Sequence, residues 1–203
     1  ILQNFFNKER IVKKNHLNNS DIKDFREKLI EKYKARNLVT EKSNFIFTDK
    51  SLENFYYIDL IKKIFPNSKI INCSRKPLFS IMSIFKNNLT KMTWAHSIES
   101  IFDYFDIYFN TINNSRKRFP NYIYNLKLEE FINNPKSESK KLMSFCDLPW
   151  SINCLKFYKR KDVISRTASN IQIRKAIFKN SSRKYEPYKG YLKKYSNKYN
   201  WFD

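Results

Sequence analysis

The sequence predicts an α/β protein, a parallel sheet flanked by helices, and three observations carry that prediction. The stretch FIFTDKSLENFYYIDLIKKIFPNSKIINCSRKPLFSIMSIFKNNL, residues 45–89, alternates short apolar runs with helix-period segments in the order β-α-β-α. Two strands joined by one helix of about a dozen residues make a right-handed crossover, so they run parallel and end at the same edge. Lys50 and Arg75 close those two strands. Ligands of open α/β sheets bind outside that edge, beside the starts of the following helices.

Taken in order, residues 17–37 place Ile22, Phe25, Leu29 and Tyr33 at helical spacing, with Ser20 and Asp21 as N-cap and first-turn acid. Residues 44–48, NFIFT, read as a buried strand, and residues 53–65 as a helix that stops at Phe65-Pro66-Asn67. KIINC, 69–73, reads as a second buried strand neighbouring the first, and Pro77 opens the next helix. Beyond it, residues 92–118 form a long helix carrying Trp94, Ile98, Ile101, Phe102, Phe105 and Phe109. A strand follows within 119–127, a helix over 135–147, and a short helix over 151–158 after Pro149-Trp150. From 159 on the chain is basic, poor in apolar periodicity and rich in hydroxyls and arginine.

Length and composition fit one core. The chain has 203 residues, 41% hydrophobic and 17% aromatic, with no internal repeat and a single glycine, Gly190, so no flexible linker divides residues 1–203. Its net charge of +21 attracts phosphates of any kind. The lysines are spread along the chain with abundant asparagine and isoleucine, as in A,T-rich genomes, which disfavours a dedicated nucleic-acid groove. The charge suggests an anionic ligand without identifying it. Cys73, Cys146 and Cys154 lack CxxC spacing and sit in apolar segments, so buried thiols in a reducing compartment are expected. No apolar run is long enough to cross a bilayer and no signal-peptide pattern opens the chain, so a cytoplasmic protein is expected. The chain begins ILQNFF without Met, and the first residues of the natural product are expected upstream.

Several side chains could do chemistry. Arg75 precedes the helix at Pro77, and Ser83 sits about two turns along it. Both could reach an anion over its first turns, where backbone amides and a guanidinium bind phosphate together; the alternative is a surface arginine and ordinary helix serines. Lys50 ends FIFTD, where it could stabilise charge on a transferred group, against the commoner fate of a solvated strand-end lysine. The segment 166–188, RTASNIQIRKAIFKNSSRKYEPY, offers hydroxyls with Arg166, Arg174, Arg183 and Lys184 to a phosphorylated or sulfated ligand. Its alternative is a disordered basic tail, although Ile171, Ile173, Ile177 and Phe178 suggest packing. His96 reads as structural. Asp49, Glu53, Glu129 and Glu130 lie nearest the expected edge without metal-ligand spacing, and no metal is expected. The absence of G-x4-GK[ST] disfavours a P-loop kinase.

With TDK-x3-NF-x7-IFPNSKIINCSRKPLFSIMSIF, EEFINNP, FCDLPWSINCLKFY and RTASNIQIRKAIFKNSSRKYEPY in this order, the chain resembles sulfotransferases that use 3'-phosphoadenosine 5'-phosphosulfate. The likeness is to the bacterial group often fused to tetratricopeptide repeats and related to protein-tyrosine sulfotransferases, and it covers about residues 20–195. It implies a P-loop-NTPase-like sulfotransferase fold in one domain, with a basic donor-closing segment at about 160–190. By the same resemblance Arg75 and Ser83 match the pair that binds the donor's 3'-phosphate, and Lys50 the lysine beside the transferred sulfuryl group. Ser169 and Arg183 match late residues that close over the donor, with Gln172 and Arg174 in the same loop. The donor nucleotide is the partner implied, no metal is needed, and the acceptor, a peptide, sugar or lipid, is left open.

This sequence departs from the family's pattern in places. The glycine-containing phosphosulfate loop of the P-R-S-G-T type is absent, its expected place is upstream of Ile1, and residues 1–203 alone are therefore expected to bind the donor weakly or not at all and to be inactive without that loop. The family's K-x-P reads Lys50-Ser51-Leu52, the tyrosine before its acidic pair is Leu128, and P-I-Y reads Ala176-Ile177-Phe178. Two rivals stand beside the enzyme: a basic module that binds polyanions, and a non-catalytic remnant or fragment.

Overall fold

The computed structural model describes residues 5–6, 17–36, 46–87, 89–90, 92–160, 174–177 and 185–202. The chain divides into two compact units, residues 1–68 with 111–118, and residues 69–110 with 119–203.

The first unit is helical. Helix α1, Asn19–Lys34, starts at a capping box: the Asn18 side chain accepts from the Asp21 amide at 2.8 Å and Asp21 accepts from the Asn18 amide at 3.2 Å. The expected cap was Ser20, but Asn18 takes the position, two residues earlier; Asp21 is the first-turn acid, as expected. Phe25, Leu29 and Tyr33 form its buried stripe. The helix expected over 53–65 is a 3-10 turn, Asn54–Tyr57, leading into α2, Ile58–Ile64, which buries Ile58, Ile61 and Ile64. Arg26 of α1 donates from Nε to the Ile64 carbonyl at 2.6 Å, satisfying an orphan acceptor at the end of α2. Phe5 and Phe6 are buried here too, Phe6 against Tyr57.

The strand expected at 44–48 is a correction. Residues 46–50 alternate exposed and half-buried side chains but are in no strand, and 44 and 45 lie outside the described residues. Phe47 packs on the Tyr33 ring at 4.6 Å, and Asp49 is engaged by side chains, so this segment is held by side-chain contacts in place of a ladder.

The second unit holds the sheet. Strand β1, Ile70–Ser74, pairs in parallel with β2, Ile123–Lys127, in the register Ile70 with Ile123 through Ser74 with Lys127. The parallel α/β expectation therefore holds with a different neighbour for β1, and among the described residues the sheet has two strands. Helix α3, Pro77–Asn87, and helix α4, Ile98–Arg118, lie between them in sequence. A 3-10 turn, Thr93–His96, replaces the expected start of the long helix, because Ser97 turns its hydroxyl to the Ser100 amide at 3.1 Å. After β2 come α5, Leu128–Asn133, and α6, Pro135–Phe145, the latter opening on Pro135 as expected.

Strand β1 was expected to be a buried strand, and it is buried only in part. Ile71 is 37% exposed and Cys73 is exposed, since alternate residues of a strand face opposite sides and one side of β1 is open. Cys146 and Cys154 are half-buried thiols.

The C-terminal residues are the largest addition to the sequence reading. Residues 185–202 form a 3-10 turn, Glu186–Tyr188, and helix α7, Lys189–Ser196, then an aromatic run. Leu192, Tyr199 and Phe202 join Leu78, Ile81, Met82, Ile98, Ile101 and Phe102 in one core cluster. Tyr195, Tyr199 and Trp201 donate to Glu99 at 2.7 Å, Asp103 at 2.5 Å and Asp106 at 3.0 Å, three carboxylates at i, i+4 and i+7 along α4. Among the described residues no helix is long and apolar enough to cross a membrane.

Candidate active site

At the carboxyl edge of the sheet, β1 runs into Arg75 and then α3, while β2 runs directly into α5. Because the strands are parallel and in register, both helix starts rise from the same edge. Pro77 fixes the first turn of α3 without wasting an amide. Glu129, in the first turn of α5, crosses to accept the Lys76 backbone amide at 2.9 Å. That bond ties the loop after β1 to the start of α5.

The Arg75 guanidinium folds over this helix start. Its Nε donates to Ser80 Oγ at 3.0 Å, and its terminal nitrogen donates to the Phe79 carbonyl at 2.9 Å. Burial pulls its pKa below the ordinary value, while Tyr185 and Glu129 act in the opposite direction. Arginine stays charged even so, which leaves a partly desolvated cation beside helix amides. Tyr185 approaches the same turn, its ring 5.7 Å from that of Phe79.

Ser83 stands one turn beyond Ser80, where its carbonyl and hydroxyl both accept from the Asn87 amide, at 2.7 Å and 3.3 Å. The structure thus joins Arg75 to Ser80, and sets Ser83 three residues further along the same helix. Ser80 was not singled out in the sequence. The signal was present, since a serine four residues into a helix whose preceding loop carries arginine is within reach of that side chain.

In the first unit, Lys50 is exposed. The residues around it are fixed: Tyr33 donates to Asp49 Oδ2 at 2.6 Å, and the Asn54 amide donates to Asp49 Oδ1 at 3.2 Å and to the Asp49 carbonyl at 3.4 Å. Tyr33 is buried, and that burial, then the Asp49 hydrogen bond and charge, push its hydroxyl pKa far above the ordinary range. Asn54 Oδ1 is buried with no hydrogen-bond partner among the described residues, a condition that costs about 1–3 kcal/mol. Both donor contacts of its amide go to Asp49 all the same. Asp49 and Asn54 bracket Lys50 in TDK-x3-N, and that spacing was the signal for a linked pair.

Of the late residues, Arg174 is exposed and donates to the Arg160 carbonyl. Ile177 is half-buried. Ser169, Gln172 and Arg183 lie outside the described residues, as do Arg166 and Lys184. His96 is exposed, with Nε2 3.3 Å from the Leu89 carbonyl, a structural contact. Among the described residues no group of three or more His, Cys, Asp or Glu is gathered to hold a metal ion.

A parallel sheet whose carboxyl edge carries a partly buried arginine at a helix start is the architecture of α/β proteins that take an anionic ligand there. Comparison with known proteins narrows that class. The model of the "Sulfotransferase family" matches residues 4–151. An uncharacterized protein of Aquifex aeolicus (strain VF5) is 32% identical over 148 residues, which is 71% of this chain and 19% of that relative. The chain belongs to the sulfotransferase family. It spans about a fifth of the length of the relative it matches. The family match ends before the C-terminal segment that completes the core of the second unit.

Proposed function

We propose that the protein carrying this chain transfers a sulfuryl group from 3'-phosphoadenosine 5'-phosphosulfate to an acceptor hydroxyl or amine. Family membership supports the reaction class, and the observation that carries the donor assignment is Arg75. Its guanidinium is half-buried at the start of an eleven-residue helix, at the carboxyl edge of a parallel sheet, with Ser80 and Ser83 along the same turns.

In this reading Arg75 and Ser83 anchor the donor's 3'-phosphate. The guanidinium offers parallel hydrogen bonds and the helix start adds its amides and dipole. Ser80 holds the guanidinium near the helix until the phosphate arrives. Lys50 neutralises the charge that develops on the bridging oxygen as the acceptor attacks sulfur and the bond to the 5'-phosphate breaks. Adenosine 3',5'-bisphosphate leaves, and the acceptor loses its proton. Arg174, with Ser169, Gln172 and Arg183, belongs to the segment assigned to donor closure. The chemistry rests on positioning and on cations, and asks for no metal.

Calorimetric titration with adenosine 3',5'-bisphosphate tests the donor site, run beside adenosine 5'-phosphate and with Arg75→Ala, at two salt concentrations. Binding that needs both the 3'-phosphate and Arg75 is the expected result. Equal binding of both nucleotides, falling alike with salt and indifferent to Arg75→Ala, would replace the site with general polyanion attraction.

A further inference from the structure

We propose that Tyr33, Asp49 and Asn54 form a clamp that aims Lys50, making them positioning residues of the transfer reaction. The proposal rests on the reading of Lys50 given above.

The bonds run through the loop on both sides of the lysine. Asp49 is the residue before Lys50, and its carboxylate is gripped at each oxygen, by Tyr33 at 2.6 Å and by Asn54 at 3.2 Å. Asn54, four residues after Lys50, also holds the Asp49 backbone carbonyl at 3.4 Å, which closes the loop on itself. Between these points the Glu53 amide donates to Ser51 Oγ at 3.4 Å. Tyr33 is the last residue of the buried stripe of α1, in the final turn of that helix, and its ring packs on Phe47, so the grip is anchored to the helix and its core face. The result is an exposed ammonium on a loop tied at the preceding residue, Asp49, and again four residues on, at Asn54. A flexible four-carbon side chain delivers charge to one place only if its root is fixed.

The polar atom left over in the clamp fits that role. Among the described residues the Asn54 oxygen is buried without a hydrogen-bond partner, while its amide nitrogen serves Asp49 twice. Local rules broken in this way cluster at functional sites. The sequence order, an acid, then the lysine, then an asparagine four residues on, is the spacing such a loop needs.

The test uses the full natural protein with its lysines reductively methylated with 13C, the Lys50 resonance being assigned by its loss in Lys50→Arg. Tyr33→Phe removes one hydroxyl from the clamp and Asn54→Ala opens its other side. The expected result is a displaced and narrowed Lys50 resonance in both, in the free protein. In transfer assays with the phosphosulfate donor, kcat falls about tenfold or more with KM for the donor little changed. Asp49→Asn, which retains the shape, restores part of the loss relative to Asp49→Ala. An unmoved Lys50 resonance in variants that melt cooperatively would overturn the clamp, as would a loss expressed in KM alone. Should Tyr33→Phe fail to fold, Asn54→Ala decides, since its side chain is only part-buried. The donor reading fails separately: it falls if adding the phosphosulfate donor to the wild type leaves Lys50 unmoved, whatever the clamp variants do.

Discussion

Lys50 and Arg75 are cations that the sequence places in matching positions, and the structure holds them in opposite ways. Arg75 is gripped by its own side chain: the guanidinium is partly buried and bonded to Ser80 and Phe79 of the helix it precedes. Lys50 is gripped by its backbone neighbours: the ammonium is exposed while Asp49 on one side and Asn54 on the other are tied down. A planar, fixed guanidinium suits a ligand group that stays put, and a movable ammonium on a fixed root suits charge that appears during reaction. In the proposed reaction one cation would serve as anchor and the other as effector.

The comparison can be broken most sharply at Arg75. Arg75→Ala is expected to weaken adenosine 3',5'-bisphosphate binding by about ten- to a hundredfold, the loss of two charge-assisted bonds, and Arg75→Lys to recover only part of it. Calorimetry reads both. The next effect is on stability. Asp49→Ala leaves the buried Tyr33 hydroxyl unpaired and should lower unfolding free energy by about 1–3 kcal/mol in chemical denaturation. Ser80→Ala removes a single bond to Arg75 and should cost about 1 kcal/mol or less by the same measurement.

A pH prediction sharpens the Lys50 side. Burial and Asp49 raise the Tyr33 pKa above its ordinary 10.0, so the folded state keeps this proton where the unfolded chain releases it. That contribution to stability is fully present below pH about 10 and is lost as pH rises above it. Denaturation midpoints measured toward alkaline pH should therefore fall more steeply for the wild type than for Tyr33→Phe, which has no proton to lose. The smallest effect belongs to Lys50 itself. Lys50→Ala should change stability by no more than about 0.5 kcal/mol, because the side chain is exposed and its neighbours carry the loop.

Much of this was legible in the sequence, and the failures have particular causes. Strand β1, the Pro77 helix start and Arg75 between them follow from apolar runs and proline chemistry that local sequence controls. The long helix through Phe102 was equally clear from its period. What local pattern could not supply was partnership: NFIFT has the composition of a strand, but Phe47 finds Tyr33 and Asp49 finds Tyr33 and Asn54, so side chains hold it where a ladder was expected. Cys73 was read as buried because its neighbours are apolar, although which face of a strand is covered depends on elements far away in sequence. The C-terminal segment was missed because its lysines mask Tyr185, Tyr188, Leu192, Tyr195 and Tyr199, spaced three or four apart, which is a helical stripe once the charges are set aside. Ser80 and the Asp49–Asn54 pair lie within motifs already noticed, and the structure shows the bonds they make, Ser80 to Arg75 and Asn54 to Asp49.

The division of labour between anchor and effector is tested most directly by steady-state kinetics of the full-length protein with 3'-phosphoadenosine 5'-phosphosulfate and a panel of phenol, peptide and sugar acceptors, following release of adenosine 3',5'-bisphosphate. Arg75→Ala should raise KM for the donor, and Lys50→Ala should lower kcat with that KM nearly unchanged. If both substitutions act on KM alone, or if Lys50→Ala transfers sulfuryl groups as fast as the wild type, the two cations do not have the separate roles assigned to them.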